Sequence, residues 1–117
     1  MRRVLIVEDD PQVRKLLAEI CHLSGVDVVT ASNGKEGLEY AKKEKFDLIF
    51  TDFNMPEMNG EELVKQLFLD QSHPKIYLMS GTKKEAEVDP TISTKVHFLT
   101  KPFEISVVRK ILISLKE

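Results

Sequence analysis

Apolar residues fall along this chain in two alternating rhythms. Val4–Val7 is a continuous apolar run, mostly β-branched, which is the pattern of a strand buried on both faces. Asp10-Pro11 follows, a helix N-cap ahead of a proline suited to the first helical position. Leu16, Leu17, Ile20 and Leu23 then recur at helical spacing, and Gly25 stands where a left-handed residue closes a helix. Val26–Ala31 predicts a second strand. Asn33-Gly34 opens a helix over Lys35–Lys43, and Asp47–Thr51 predicts a third strand. Asp52–Gly60, with Pro56 and Gly60, reads as a loop, and Glu61–Phe68 as a helix carrying Leu63, Val64 and Leu67. Lys75–Ser80 and Val96–Thr100 supply strands four and five, and Glu104–Lys116 a closing helix. Between those strands, over Lys83–Thr94, a helix is due. Pro90 and the β-branched residues around it oppose one, so a short or irregular fourth helix is predicted.

Five strands alternating with helices imply an α/β fold with a five-stranded parallel sheet covered on both faces. Right-handed crossovers make it doubly wound. The 117 residues amount to one domain, 1–117, with no repeat, linker or low-complexity tract.

Composition narrows the function classes. Hydrophobic residues are 42% and charged residues 31%, an ordinary balance that argues against disorder. A net charge of −2 provides no basic excess for direct nucleic-acid binding. Cys21 is the only cysteine, which excludes an internal disulfide and a multi-cysteine zinc cage. It falls within an apolar helical pattern and reads as a small core residue. The apolar run near the N-terminus is too short for a signal peptide or a membrane span, so a cytoplasmic protein is expected.

In an open parallel sheet, ligands bind beyond the carboxyl ends of the strands. Strand one ends at Glu8-Asp9, strand three at Asp52, strand four at Ser80-Gly81 and strand five at Thr100-Lys101-Pro102. These four tips would meet on one edge, gathering three carboxylates, a hydroxyl and an ammonium. Carboxylates a few ångströms apart repel by on the order of several kcal/mol at an intermediate dielectric. They must take a proton or a cation. Mg²⁺ suits them, because it takes oxygen ligands, keeps waters and pairs carboxylates with phosphate oxygens. A carboxylate beside it can attack a phosphoryl donor and become an acyl phosphate. Lys101 and the Ser80 hydroxyl would then serve separate phosphoryl oxygens. Each residue has a plainer reading when taken singly. Glu8-Asp9-Asp10 is a polar turn with Asp10 as a helix cap, Asp52 a loop residue, Ser80 uninformative and Lys101 a solvated lysine. Four separate strand ends carrying the set weigh against four coincidences.

Val4–Asp10 (VLIVEDD), Phe50–Gly60 (FTDFNMPEMNG), Leu78–Gly81 (LMSG) and Phe98–Phe103 (FLTKPF) resemble the receiver domains of two-component response regulators, over the whole chain. The resemblance implies a flavodoxin-like receiver fold with Asp52 as phosphoacceptor. It implies a Mg²⁺ site of Glu8, Asp9, Asp52 and the Asn54 backbone carbonyl, with Mn²⁺ able to substitute. Asp9 would bind the ion directly. Ser80 would be the switch hydroxyl, Lys101 the phosphoryl-stabilising lysine, Phe98 the rotating aromatic, and Pro102 would follow a cis peptide. Asn54 and Thr82 would tune hydrolysis of the acyl phosphate. Pro11, Gln12, Val13, Pro102, Phe103 and Ile105 would surround the pocket mouth and dock a histidine kinase or histidine phosphotransfer protein. A downstream protein target and a monomer or weak dimer are implied, as is a stand-alone regulator unless the chain was cut from a longer one. Three departures stand out. Phe98 lacks the hydroxyl of the tyrosine that many members carry. Ser80 lacks the methyl of threonine. Pro90 falls in a face many relatives use for output.

Other classes fit parts of the pattern. A small phosphatase of the haloacid dehalogenase type also uses an aspartate after a strand, but it needs a second acid two residues on. Asn54 stands there and cannot protonate a leaving group. An unphosphorylated receiver-like interaction module would have lost the acids or the lysine, and all are present. A flavodoxin-type cofactor binder needs a Ser/Thr-rich phosphate loop after strand one, which the chain lacks.

Overall fold

The computed structural model describes residues 2–69, 74–81 and 87–116. The elements run β1 (Arg3–Val7), α1 (Pro11–Leu23), β2 (Asp27–Ala31), α2 (Gly34–Lys43), β3 (Leu48–Asp52), α3 (Gly60–Leu67), β4 (Lys75–Ser80), α4 (Pro90–Ser93), β5 (His97–Thr100) and α5 (Ile105–Lys116). All strand pairs are parallel, in the order β2-β1-β3-β4-β5. Helices cover both faces, so the predicted doubly wound architecture is the observed one.

The alternation of strand side chains divides the core into two layers. Val4, Ile6, Leu48, Phe50, Met79 and Leu99 point to the face covered by α1 and α5, where they meet Leu17, Ile20, Cys21, Val108 and Leu112. Leu5, Val7, Ile49, Ile76 and Leu78 point the other way, onto Leu63, Val64 and Leu67 of α3 and Ile92 of α4. Val4–Val7 and Leu48–Phe50 are wholly buried, as continuous apolar runs in central parallel strands should be.

The four leucine and isoleucine positions that recur at helical spacing do lie on α1, and packing divides them. The buried face of α1 is Leu17, Ile20 and Cys21, with Val13 packed against it, whereas Leu16 and Leu23 are 40% and 78% exposed. Positions 16 and 23 lie roughly 100–120° round the helix from Leu17, on its flank. One reading needs correction: Pro90 does not oppose the fourth helix. It opens it, behind the N-cap Asp89, whose carboxylate accepts from Thr91 N. The helix is short, four residues, as expected. Asp52 is the last residue of β3, paired with Met79, and the loop begins after it.

Ends are fixed locally. Gly25 has φ of 76°, the left-handed conformation that closes α1. Asn59 and Glu62 form a reciprocal capping box at the start of α3. Gly60 then docks tightly on the sheet: its N–H donates to the Phe53 carbonyl at 2.9 Å, and a Cβ there would lie 2.3 Å from the Asp52 carbonyl oxygen.

Candidate phosphoacceptor and metal site

The crossovers change direction between β1 and β3, and that is where an open sheet leaves a crevice at its carboxyl edge. β1 delivers Glu8 and Asp9 there, and β3 delivers Asp52. One carboxylate oxygen from each of the three lies within 4.8 Å of the others. Glu8 is fully buried, Asp52 is 6% exposed, and Asp9 is open to solvent. β5 brings Lys101 to the same point. Its Nζ lies 2.5 Å from Glu8 Oε1 and 3.2 Å from Asp52 Oδ1. Ser80 ends β4 as a buried neighbour of Thr100, and its carbonyl accepts from Lys101 N at 3.0 Å. The Lys101-Pro102 peptide is cis.

Electrostatics follow from this enclosure. Burial pushes the Glu8 carboxyl up to about 7, against the lowering pull of its bonds from Lys101 and Asp10 N–H. Burial likewise raises Asp52 above the ordinary aspartate value, although Lys101 opposes the shift. Burial would lower Lys101, but its bonds to Glu8 and Asp52 outweigh that and hold the ammonium above the usual lysine range. One ammonium thus serves two carboxylates, and the acidic cluster still carries excess negative charge. Its donor set is all oxygen and partly open, which fits a hard divalent cation such as Mg²⁺. Asp9 also lines a groove of about 400 Å³ with Asn54, Met55, Pro56 and Asn59, so the Asn54 backbone borders the same space.

The remaining sequence candidates divide. Phe98 is half-buried against the α3–α4 side of the core. Thr82 lies outside the described residues. Pro11, Gln12 and Pro102 are exposed, whereas Val13 and Phe103 pack against the α1–α5 core and Ile105 is 50% exposed. Cys21 is buried, and burial pushes its thiol up to about 12, which fits an inert core residue. Sequence reasoning missed Arg14. Its guanidinium reaches back from α1 to the Glu8 carbonyl at 2.9 Å. A basic residue one turn into the helix after the acidic pair was the available signal. No described helix is long and apolar enough to cross a membrane.

With this geometry in place, comparison with known proteins gives a consistent answer. The family model of the response regulator receiver domain matches residues 4–113. The chemotaxis protein CheY of Thermotoga maritima is 36% identical over 107 residues, covering 90% of this chain and 89% of that protein. A protein-glutamate methylesterase/protein-glutamine glutaminase of Archaeoglobus fulgidus is 41% identical over 103 residues, or 86% of this chain. The chain spans only 30% of that methylesterase. Among solved structures, the Thermotoga maritima response regulator TrrA in complex with Mg(2+)-BeF superposes with a TM-score of 0.85 at 27% identity, covering 98% of this chain and 99% of that one. The chain belongs to the response regulator receiver domain family of two-component signal transduction.

Proposed function

We propose that this receiver domain accepts a phosphoryl group on Asp52 from the phosphohistidine of a histidine kinase or phosphotransfer protein. The observation that carries the reading is the meeting of Asp52, Glu8, Asp9 and Lys101, from three strands, at the switch point of the sheet. A Mg²⁺ ion, or Mn²⁺ in its place, held by Asp9, Asp52 and the Asn54 carbonyl, with Glu8 acting through water, would offset the negative charge that phosphorylation adds. The chain's own groups do the rest. An Asp52 carboxylate oxygen attacks the phosphorus, the P–O bond forms as the P–N bond breaks, and the imidazole leaves with the electron pair. The Lys101 ammonium, already beside Asp52, hydrogen-bonds one phosphoryl oxygen, and the Ser80 hydroxyl serves another. Movement of Ser80 toward the phosphoryl group would free space for Phe98 to turn inward, changing the β4–α4–β5 surface offered to a downstream protein.

In this reading the domain is a phosphoacceptor that assists its own phosphorylation and dephosphorylation, with Asn54 and Thr82 setting the lifetime of the acyl phosphate. The reading includes a cytoplasmic location, since histidine kinases of two-component systems present their phosphohistidine there. Residues 1–117 form one receiver unit in it, and the exposed Pro11, Gln12, Pro102 and Ile105 form the docking rim. Incubation with acetyl phosphate, with and without Mg²⁺, tests the reading by intact mass: a Mg²⁺-dependent phosphate adduct supports it.

A further inference from the structure

Glu8 sits one residue past the last ladder pairs of β1, which join Val7 to Ala31 and to Thr51. Its N–H still reaches the Ala31 carbonyl at 3.0 Å. Its own carbonyl has passed beyond the ladder, and there the donor comes from a side chain. Arg14 Nη1 donates to Glu8 O at 2.9 Å and lies 3.5 Å from Asp9 O. Arg14 is half-buried and belongs to the first full turn of α1. Arg14 N–H also donates to the Asp10 carbonyl at 2.9 Å. Side-chain bonds in the same turn fall on its two outer members. Glu8 Oε2 accepts from Asp10 N at 3.1 Å, and Asp10 Oδ1 accepts from Gln12 N at 2.9 Å. Asp9 lies between them with its carboxylate exposed toward the pocket, so its aim depends on how firmly the backbone of the turn is held.

We infer that Arg14 is a positioning residue for the divalent-cation site: by gripping the Glu8 and Asp9 carbonyls it fixes the direction of the Asp9 carboxylate. The inference rests on the proposed phosphoacceptor reading and extends it to a residue that touches neither metal nor phosphate. It makes a prediction of unusual sign. As a plain charge, a guanidinium near three carboxylates repels an incoming cation, so its removal would tighten Mg²⁺ binding. As a positioning group it acts as partners behind metal ligands do, and the loss of such partners typically weakens metal binding by about 10–100-fold.

Titration of the metal-free chain with Mg²⁺ alone, read by calorimetry and backbone NMR shifts, separates these cases. Arg14→Ala should weaken Mg²⁺ binding by about 10-fold. Arg14→Lys, which keeps a cation able to reach one carbonyl, should recover much of the loss. If Arg14→Ala does not fold, Arg14→Met, which keeps the aliphatic stem but neither donor nor charge, supports the same comparison against wild type. Tighter binding in the neutral variants would make Arg14 a repelling charge and overturn the inference. Unchanged binding, with or without a fall in melting temperature, would make it a structural strap and overturn it equally. A wild-type chain that binds no Mg²⁺ would instead overturn the phosphoacceptor reading itself, and the inference with it.

Discussion

Lys101 Nζ lies 2.5 Å from Glu8 Oε1, joining the ends of the first and last strands across 93 positions of sequence. The contact ties a fully buried acid to the lysine that also holds Asp52. It leaves the cluster short of positive charge, which sets both its stability and its chemistry.

The first prediction concerns pH. Glu8 titrates near 4.5 when unfolded and near 7 in the fold. Between those values the folded chain keeps a proton that the unfolded chain has lost, so stability is full below about 4.5 and declines as pH rises through about 7. Metal-free protein in chelator should therefore lose melting temperature across that window, by up to about 3 kcal/mol of stability. Glu8→Gln, which cannot ionise, should flatten the slope. Calorimetric scans at stepped pH check this, and an equal slope in the variant would assign the effect to other groups.

Gly60 tests how closely the acceptor strand must be approached. A Cβ there meets the Asp52 carbonyl at 2.3 Å and Leu78 Cδ1 at 2.9 Å. Backbone on one side and core on the other leave it little room to move. Gly60→Ala should cost about 1–3 kcal/mol in urea unfolding and slow phosphorylation by a small donor as well. A variant as stable as wild type would show that the loop yields freely.

The docking rim separates two residues that the sequence treated alike. Val13 packs against the α1–α5 core, while Ile105 is half exposed. Val13→Asp should cost about 2 kcal/mol or more, since it places a carboxylate against apolar neighbours. Ile105→Asp should change stability by less than about 0.5 kcal/mol and still block phosphotransfer from the cognate kinase, with acetyl phosphate labelling intact. Paired melting and phosphotransfer assays decide the matter, and unimpaired transfer to the Ile105 variant would remove it from the rim.

Much of this was legible because each strand states its burial in its own composition. Val4–Val7 has no polar position, so it had to be central, and the acids that follow it had to lie at the sheet's edge. Asp52 and Lys101 could be brought together because parallel strands put all their carboxyl ends on one side. Which leucines of α1 are core was not legible, because a spacing of three and four admits two neighbouring stripes on one helix, and only packing selects Leu17 and Ile20 over Leu16 and Leu23. Pro90 opposes a helix only in its interior: at the first turn it lacks only an N–H that would have gone unpaired, and composition alone does not say which position it holds. Arg14 shows in the sequence only as a basic residue one turn into the helix after the acidic pair, because its partner is a backbone carbonyl, which side-chain spacing alone does not name.

The central claim is that Asp52 takes the phosphoryl group. Incubating the chain with acetyl phosphate and Mg²⁺, reducing the acyl phosphate with borohydride to mark its site, and mapping the labelled peptide by mass spectrometry tests it directly. One label on Asp52, absent without Mg²⁺ and absent in Asp52→Asn, is the predicted result. A label of equal yield on another residue, or one that persists in Asp52→Asn, would contradict it.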